Sequence, residues 1–419
     1  MDVASVPAPR DVPRFASGRA GARLAAGAGP RFLRPTITFQ SARPIRTGVR
    51  RIGLPVLVLL AALAALGGCA SGPSQADVHS PPALDRSRIA SLLPAGTADP
   101  EGWAADLEAA LRALDIPPTA EPVCEVIAVA AQESGLQVDP PVPGLGRIAR
   151  AEIDRRAEAA HVPRFLVTGA LALQSTDGRT YGERIAAART ERDLSETYED
   201  LIARVPLGSR LLADDNPVRT AGPMQVSIAF AEQQARARPY PWPQEGSVRH
   251  QVFTRRGGLY FGAAHLLDYP APYDRPLFRF ADFNAGRWAS RNAAFQAAVA
   301  RVSGAPLDLD GDLVLPGGGE ASPGRTELAV RAVQQRLEGR LDPAALHAAL
   351  RAGDGPGFED SPLWRHVFAL ADAEAGHALP RALVPRIELH SPKLSQRFTT
   401  AAFAQRVDER YHRCRDAAR

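Results

Sequence analysis

The sequence predicts a mainly α protein, with one large helical body and a smaller helical region toward its C-terminal end. Three observations predict it. Apolar residues recur at helical spacing in segment after segment, no run alternates with the two-residue period of a half-buried strand, and Pro, Gly and Asn punctuate the intervals. The first clear helix covers 106–114, where Leu107, Leu111 and Leu114 share one face. A second runs from Thr119 as N-cap to Ser134, turns Val123, Val126, Ile127 and Ala130 inward, and stops at Gly135. Helical patterns follow at 147–161, 180–204, 224–238, 257–268 and 287–302. The Gly- and Pro-crowded stretch 311–324 reads as an internal linker, with shorter helices beyond it at 325–338, 343–351, 361–377 and 395–415. The body is thus placed at 98–302, the linker at 303–324 and the C-terminal region at 325–419.

The front of the chain has a different chemistry. Arg50 and Arg51 precede an apolar run of about 15 residues, the size of a signal-peptide core and short of the roughly 20 that cross a bilayer. It ends in Leu66-Gly67-Gly68-Cys69, which resembles the lipobox of bacterial lipoproteins. The resemblance implies that 50–68 is a signal peptide, that the chain is cut before Cys69, and that the Cys69 thiol carries lipid. Residues 69–97, with Gly-Pro-Ser and Pro-Pro, then form a flexible tether to the membrane. Ala70 stands where an aspartate would retain such a protein at the inner membrane, which implies the outer membrane, facing the periplasm or the cell surface. Residues 1–49, rich in Arg, Pro and Ala, read as a disordered extension or one that precedes the true start. Ten Arg and two acidic residues lie before Cys69, so the net charge of +4 becomes −4 for the remainder. The basic balance belongs to the front and argues for no nucleic-acid partner.

With Cys69 taken by lipid, Cys124 and Cys414 remain. In an oxidising compartment they read as a candidate disulfide, the alternative being two unrelated buried thiols. Cys124 lies nine residues before Glu133, so at about 100° per residue the two point to opposite helix faces. A bond would clamp the C-terminus behind that helix and leave the Glu133 face free.

Three segments occur in a telling order: Ala131-Gln132-Glu133-Ser134-Gly135, Ala221-Gly222-Pro223-Met224-Gln225-Val226 and Phe280-Ala281-Asp282-Phe283-Asn284-Ala285-Gly286. Together they resemble the Glu-Ser, Gly-Leu-Met-Gln and Tyr-Asn-Ala-Gly motifs of the soluble lytic transglycosylases, which have a lysozyme-like fold and cleave peptidoglycan glycan strands. The resemblance implies a lysozyme-like body with Glu133 as catalytic acid. It implies that Ser134 orients local hydrogen bonds, that Met224 and Gln225 line the sugar groove, and that Asn284 and Gly286 shape a loop beneath the scissile bond. Most glycosidases pair two carboxylates. This class uses one, because the N-acetyl group of the substrate attacks in place of the second. Read without the resemblance, Glu133 is a solvated helix-end carboxylate, Met224 is core filler, and 284–286 is a turn opening the next helix.

The sequence also departs from that pattern. Glu133 and Gly222 are 89 residues apart, so a large excursion intervenes, Pro223 replaces leucine, and Phe283 replaces tyrosine with loss of its hydroxyl. A second resemblance covers nearly the whole mature chain. Stretches such as Asp154-Arg155-Arg156-Ala157-Glu158, Asn216-Pro217-Val218-Arg219-Thr220, Arg255-Arg256-Gly257-Gly258-Leu259 and Val407-Asp408-Glu409-Arg410 are similar to the YaiW-type outer-membrane lipoprotein family, a domain of unknown function. Two functions follow as expectations: cleavage or binding of peptidoglycan, or a non-catalytic scaffold that binds an envelope transport or assembly partner. No cofactor or metal is expected. Asp308, Asp310 and Asp312 lack the order of a calcium loop and read as a solvated turn.

Overall fold

The computed structural model describes residues 81–419 apart from 206, 208, 209, 211, 316, 318, 320, 321, 338 and 390–397. The segments read as signal peptide and lipobox, with Cys69, and most of the stretch read as tether lie outside the described residues. Within them are sixteen α-helices and two short hairpins, in the mainly helical class the sequence predicts.

The helices are α1 Arg86–Leu92, α2 Pro100–Ala113, α3 Ala120–Glu133, α4 Leu145–Ala159, α5 Arg164–Leu171, α6 Tyr181–Ala187, α7 Glu191–Ala203, α8 Ile228–Ala237, α9 Val248–Val252, α10 Arg255–Leu267, α11 Pro276–Ala285, α12 Ala289–Ser303, α13 Arg325–Val333, α14 Pro343–Arg351, α15 Pro362–Ala375 and α16 Thr400–Ala418. The strands pair antiparallel, β1 Thr220–Ala221 with β2 Val226–Ser227, and β3 Glu388–Leu389 with β4 Phe398–Thr399. Side-chain caps fix many helix starts. Thr180 with Glu183, and Thr190 with Asp193, form capping boxes, which divide the expected helix 180–204 into α6 and α7.

Two cores organise the described chain. The first gathers α1–α3, α8–α11 and α16, with Ile89, Leu111, Val123, Cys124, Val126, Met224, Phe261 and Phe280 buried in it. The second is aromatic, built by α12–α15 around Phe295, Phe358, Trp364 and Phe368. Both cores are built from described residues within 81–419.

Three expected boundaries change. The tether ends early, because Ile89 of α1 is fully buried and Leu84 N–H donates to Pro118 O at 2.8 Å. The linker begins as ordered chain: Gln296 holds the Gly311 N–H through Oε1 and the Asp312 carbonyl through Nε2, and Leu313 enters the second core. The C-terminal region 325–419 divides, since 325–371 builds the second core while α16 returns to the first. That return is covalent. Cys124 and Cys414 form a disulfide with Cα atoms 5.5 Å apart, closing a separation of 290 residues.

Candidate active site

Helix α3 exists because its middle is apolar on nearly every side. Residues Val123 through Ala130 are all buried, against α16 on one side and α10 on another. The burial ends at its last turn, where Glu133 is partly exposed. Ser134 closes the helix: its hydroxyl donates to Ala130 O at 3.1 Å and accepts from Gln137 N at 3.2 Å. Gly135 and Leu136 then adopt left-handed backbone, and Leu136 tucks back beneath the helix end with its N–H on Ala130 O. On the same turn, Arg410 of α16 donates to Gln132 Oε1 at 3.2 Å. The same helix buries a second carboxylate that sequence reading passed over. Burial pushes the Glu125 carboxyl up to about 7, with Arg279 and Arg415 opposing and Glu121 reinforcing the rise.

The second segment is the turn of the β1–β2 hairpin. Gly222, at φ +75°, lies so close to Val252 O that no side chain fits there. Pro223 and Met224 pack onto α10 where Gly258 and Gly262 leave room; a Cβ on either glycine would overlap them. These glycines are one helical turn apart and share a face, which lets the turn approach the helix backbone. Met224 is fully buried, so it supports the turn from below and has no surface to offer a sugar. Gln225 is partly exposed and left-handed at φ +49°, a conformation that costs a non-glycine residue about 1–2 kcal/mol. Its amide stays close to home, accepting from Thr220 Oγ1 at 3.2 Å and donating to Gly222 O at 3.3 Å.

The third segment is the end of α11, where a loop was expected. Asp282 is fully buried and anchors it, accepting from the Tyr269 and Tyr273 hydroxyls at 3.0 and 2.6 Å and from the backbone N–H of Trp288 and Ser290 at 2.9 and 2.6 Å. Burial raises its pKa to about 6 while these donors pull it down. The Asp282 knot therefore sets how α11 hands over to α12. Asn284 is partly exposed and its Oδ1 accepts from Thr400 Oγ1 at 2.7 Å, at the first turn of α16. Gly286 ends the helix at φ +114°, with open space where a side chain would stand. Phe283, in place of the expected tyrosine, lays its ring 5.1 Å from His265, whose other neighbour is Phe230 at 4.7 Å. Burial, with Arg287 adding to it, lowers the His265 pKa to about 3, so the imidazole is neutral, and its Nδ1 is enclosed without a hydrogen-bond partner.

The three segments are tied together through two shared helices. Helix α16 packs against both α3 and α11, carrying the Glu133 and Asn284 ends, while α10 holds the Gly222–Gln225 turn and touches α3 and α11. Two cavities among the described residues lie elsewhere, one of about 260 Å³ beside α4 and α5 and one of about 190 Å³ beside α13 and α15. The disulfide stands behind α3, with Cys124 fully buried. Among the described residues no group of three or more His, Cys, Asp or Glu side chains gathers to hold a metal. Asp310 accepts instead from Gln296 Nε2 and from Asp312 N–H. Asp282 was visible in the quoted motif, but nothing in the spacing marked it as buried. His265 carries no sequence signal beyond following Gly258 and Gly262 on α10.

These features define a mainly helical protein with a disulfide-braced first core that carries a partly exposed helix-end carboxylate. Among the described residues no helix is long and apolar enough to cross a membrane. Residues 96–416 match a protein family of unknown function, DUF1615, and the chain belongs to that family. It is 49% identical over 362 residues to the uncharacterized protein YaiW of Escherichia coli strain K12, covering 86% of this chain and 98% of that protein. No solved structure matches it.

Proposed function

We propose that the protein is an outer-membrane lipoprotein, anchored through Cys69, whose helical body has a lysozyme-like site acting on peptidoglycan glycan strands. The observation that carries this reading is the position of Glu133. It is a carboxylate at the end of a helix buried along its length, partly exposed where that burial stops, with Ser134 completing the helix end beside it. A carboxylic acid there protonates the glycosidic oxygen as the bond breaks, while the N-acetyl oxygen of the substrate attacks the anomeric carbon. Glu133, now a carboxylate, takes the proton of the sugar's C6 hydroxyl as that oxygen displaces the N-acetyl group, leaving an anhydro sugar. Gln225 and Asn284, each partly exposed and each held by a threonine hydroxyl, supply the polar walls.

The test incubates residues 81–419 with purified sacculi. Anhydromuropeptides are expected by mass spectrometry, and Glu133→Gln is expected to reduce their release at least about a hundredfold, the ordinary contribution of a general acid. Products with reducing ends mean hydrolysis instead, and no release from sacculi refutes the enzymatic reading. The phenylalanine at 283 and the inward-turned Gln225 amide favour a second reading, in which the same scaffold binds an envelope partner without catalysis. Sedimentation with sacculi without release supports wall binding; neither outcome directs the search to a protein partner.

A further inference from the structure

Helix α16 touches two of the three motif segments, through side chains that lie well apart along it. Thr400 reaches Asn284 from the first turn, and Arg410 reaches Gln132, the residue before Glu133, about 15 Å further along the axis. At 100° per residue, Arg406, Arg410 and Arg413 fall within a sector of about 60°. That sector borders the buried face formed by Phe403, Val407 and Cys414. Arg406 and Arg413 are exposed, and Arg410 is partly exposed. His412 and Arg415 of the same helix face the carboxylates of Asp408 and Glu121, but among the described residues no carboxylate pairs with these three arginines. Glu409 stands outside their sector, on the side away from Arg410. Two of the three are held in place. Arg406 lies over the Phe398 ring, 4.7 Å from its centre. Arg410 uses its Nε–H on Gln132 Oε1 at 3.2 Å, which leaves its two terminal amines as an oriented fork for a carboxylate.

We propose that this arginine face is a subsite for the peptide stems of the glycan strand, and that Arg410 receives a stem carboxylate beside Glu133. The proposal rests on the glycan-cleaving reading above and adds the form of the substrate, a strand that still carries its stems. The sugars of a stripped strand are neutral and offer a guanidinium no counter-charge. The anions of peptidoglycan are the free carboxylates of the stems. Each stem leaves from the muramoyl sugar, the unit whose anomeric carbon the Glu133 chemistry addresses. Its first free carboxylate lies about two residues out, or roughly 7 Å of chain. Arg410, one residue across from Glu133 through Gln132, is within that reach. Arg406 lies about 6 Å before it on the helix axis and Arg413 about 4.5 Å beyond, so a short peptide with several carboxylates meets several guanidiniums. Extended polyanions fit less well. Beyond the front of the chain the net charge is −4, so the positive charge here is a local feature and not a broad field.

The experiment uses detergent-extracted full chain carrying Glu133→Gln, so that strands are bound and not cut. Calorimetry compares soluble glycan oligomers that keep their stems with the same oligomers stripped by an amidase. Stem-bearing oligomers are expected to bind about tenfold or more tightly, and only their binding should weaken steeply with salt. Adding Arg410→Gln should remove most of that preference, with an unchanged circular dichroism spectrum. Arg410→Lys, which keeps the charge and loses the fork, should fall between. With Arg406→Gln and Arg413→Gln added as well, stem-bearing oligomers should bind no better than the parent binds stripped ones. Equal affinity of the parent for the two oligomers overturns the proposal and leaves the glycan reading standing. A triple variant that keeps the preference also overturns it. The free stem tetrapeptide separates the remaining cases. Stem binding that needs Arg410, with no affinity for stripped oligomers, refutes the sugar groove and leaves the arginine face. No binding of either oligomer or of the stem refutes both. Displacement of stem-bearing oligomers by glycerol phosphate more readily than by the free stem overturns the proposal in favour of a phosphate ligand.

Discussion

The second core is built from one nearly continuous stretch, and its centre is a stack of rings: Phe295 lies 5.1 Å from Phe358 and 5.6 Å from Trp364, and Trp364 lies 4.4 Å from Phe368. Contacts between near neighbours in sequence close it. The first core needs both ends of the described chain. Its α3 is covered by α16, nearly three hundred residues later, and the contact is sealed by the Cys124–Cys414 bond. The three motif segments all belong to the first core or pack on it, and none to the second. The partly exposed carboxylate and amides therefore sit where long-range closure sets their relative positions. A single covalent change is enough to loosen that closure.

The largest expected effect follows directly. Cys414→Ser opens a loop of 290 residues and is expected to cost roughly 5 kcal/mol by chain entropy. Hydrogen exchange measures where. Amides of α3 and α16 should lose protection while those of α13–α15 keep theirs, and equal loss in both cores would mean that they are not separate.

Glu125 sharpens the comparison by pH. Its carboxyl titrates near 7 when folded, raised by burial, so the native state holds a proton that the unfolded chain has released. Stability is then greatest below the ordinary glutamate value and falls as pH rises toward and through 7, by about 3 kcal/mol for a rise of that size. Glu125→Gln removes this loss. The variant should match the wild type near pH 4 and exceed it at pH 8 by up to that amount in urea midpoints. A wild type with flat stability between pH 4.5 and 8 contradicts the assignment.

Thr400→Val gives the smallest effect, about 1 kcal/mol for one lost hydrogen bond to Asn284. Its value lies in the NMR signals of the Asn284 side-chain amide, which should shift and broaden with α16 otherwise intact. Unchanged Asn284 signals would show that Thr400 does not hold it.

Most of the helical fold could be read from the sequence because its signals are local. The apolar face of 119–134 gives α3 to within a residue at each end, and Gly135 stops it as its flexibility suggests, while the leucines of 106–114 mark only the second part of α2, which starts at Pro100. The cysteine pair was legible for a different reason, since few partners were left to choose from. Helix α5 was missed because its eight residues span little more than two turns, too few to display a helical period, and the end of α11 was read as a loop because Asn-Ala-Gly is common in turns. Met224 shows the limit for the site. The motif marked it as groove lining, but only the Gly258 and Gly262 face across from it shows that it faces inward. The buried Asp282 and Glu125 were illegible, because burial of a carboxylate depends on helices that are remote in sequence.

The central proposal is that Glu133 and Asn284, on helices α3 and α11 that both pack against α16, act on one glycan. A double-mutant cycle with Glu133→Gln and Asn284→Ala, read as the Kd for purified glycan strands, tests it most directly. The expected result is a coupling of about 1 kcal/mol or more between the two substitutions. Effects that add within about 0.3 kcal/mol, or no glycan binding by the wild type, would contradict it.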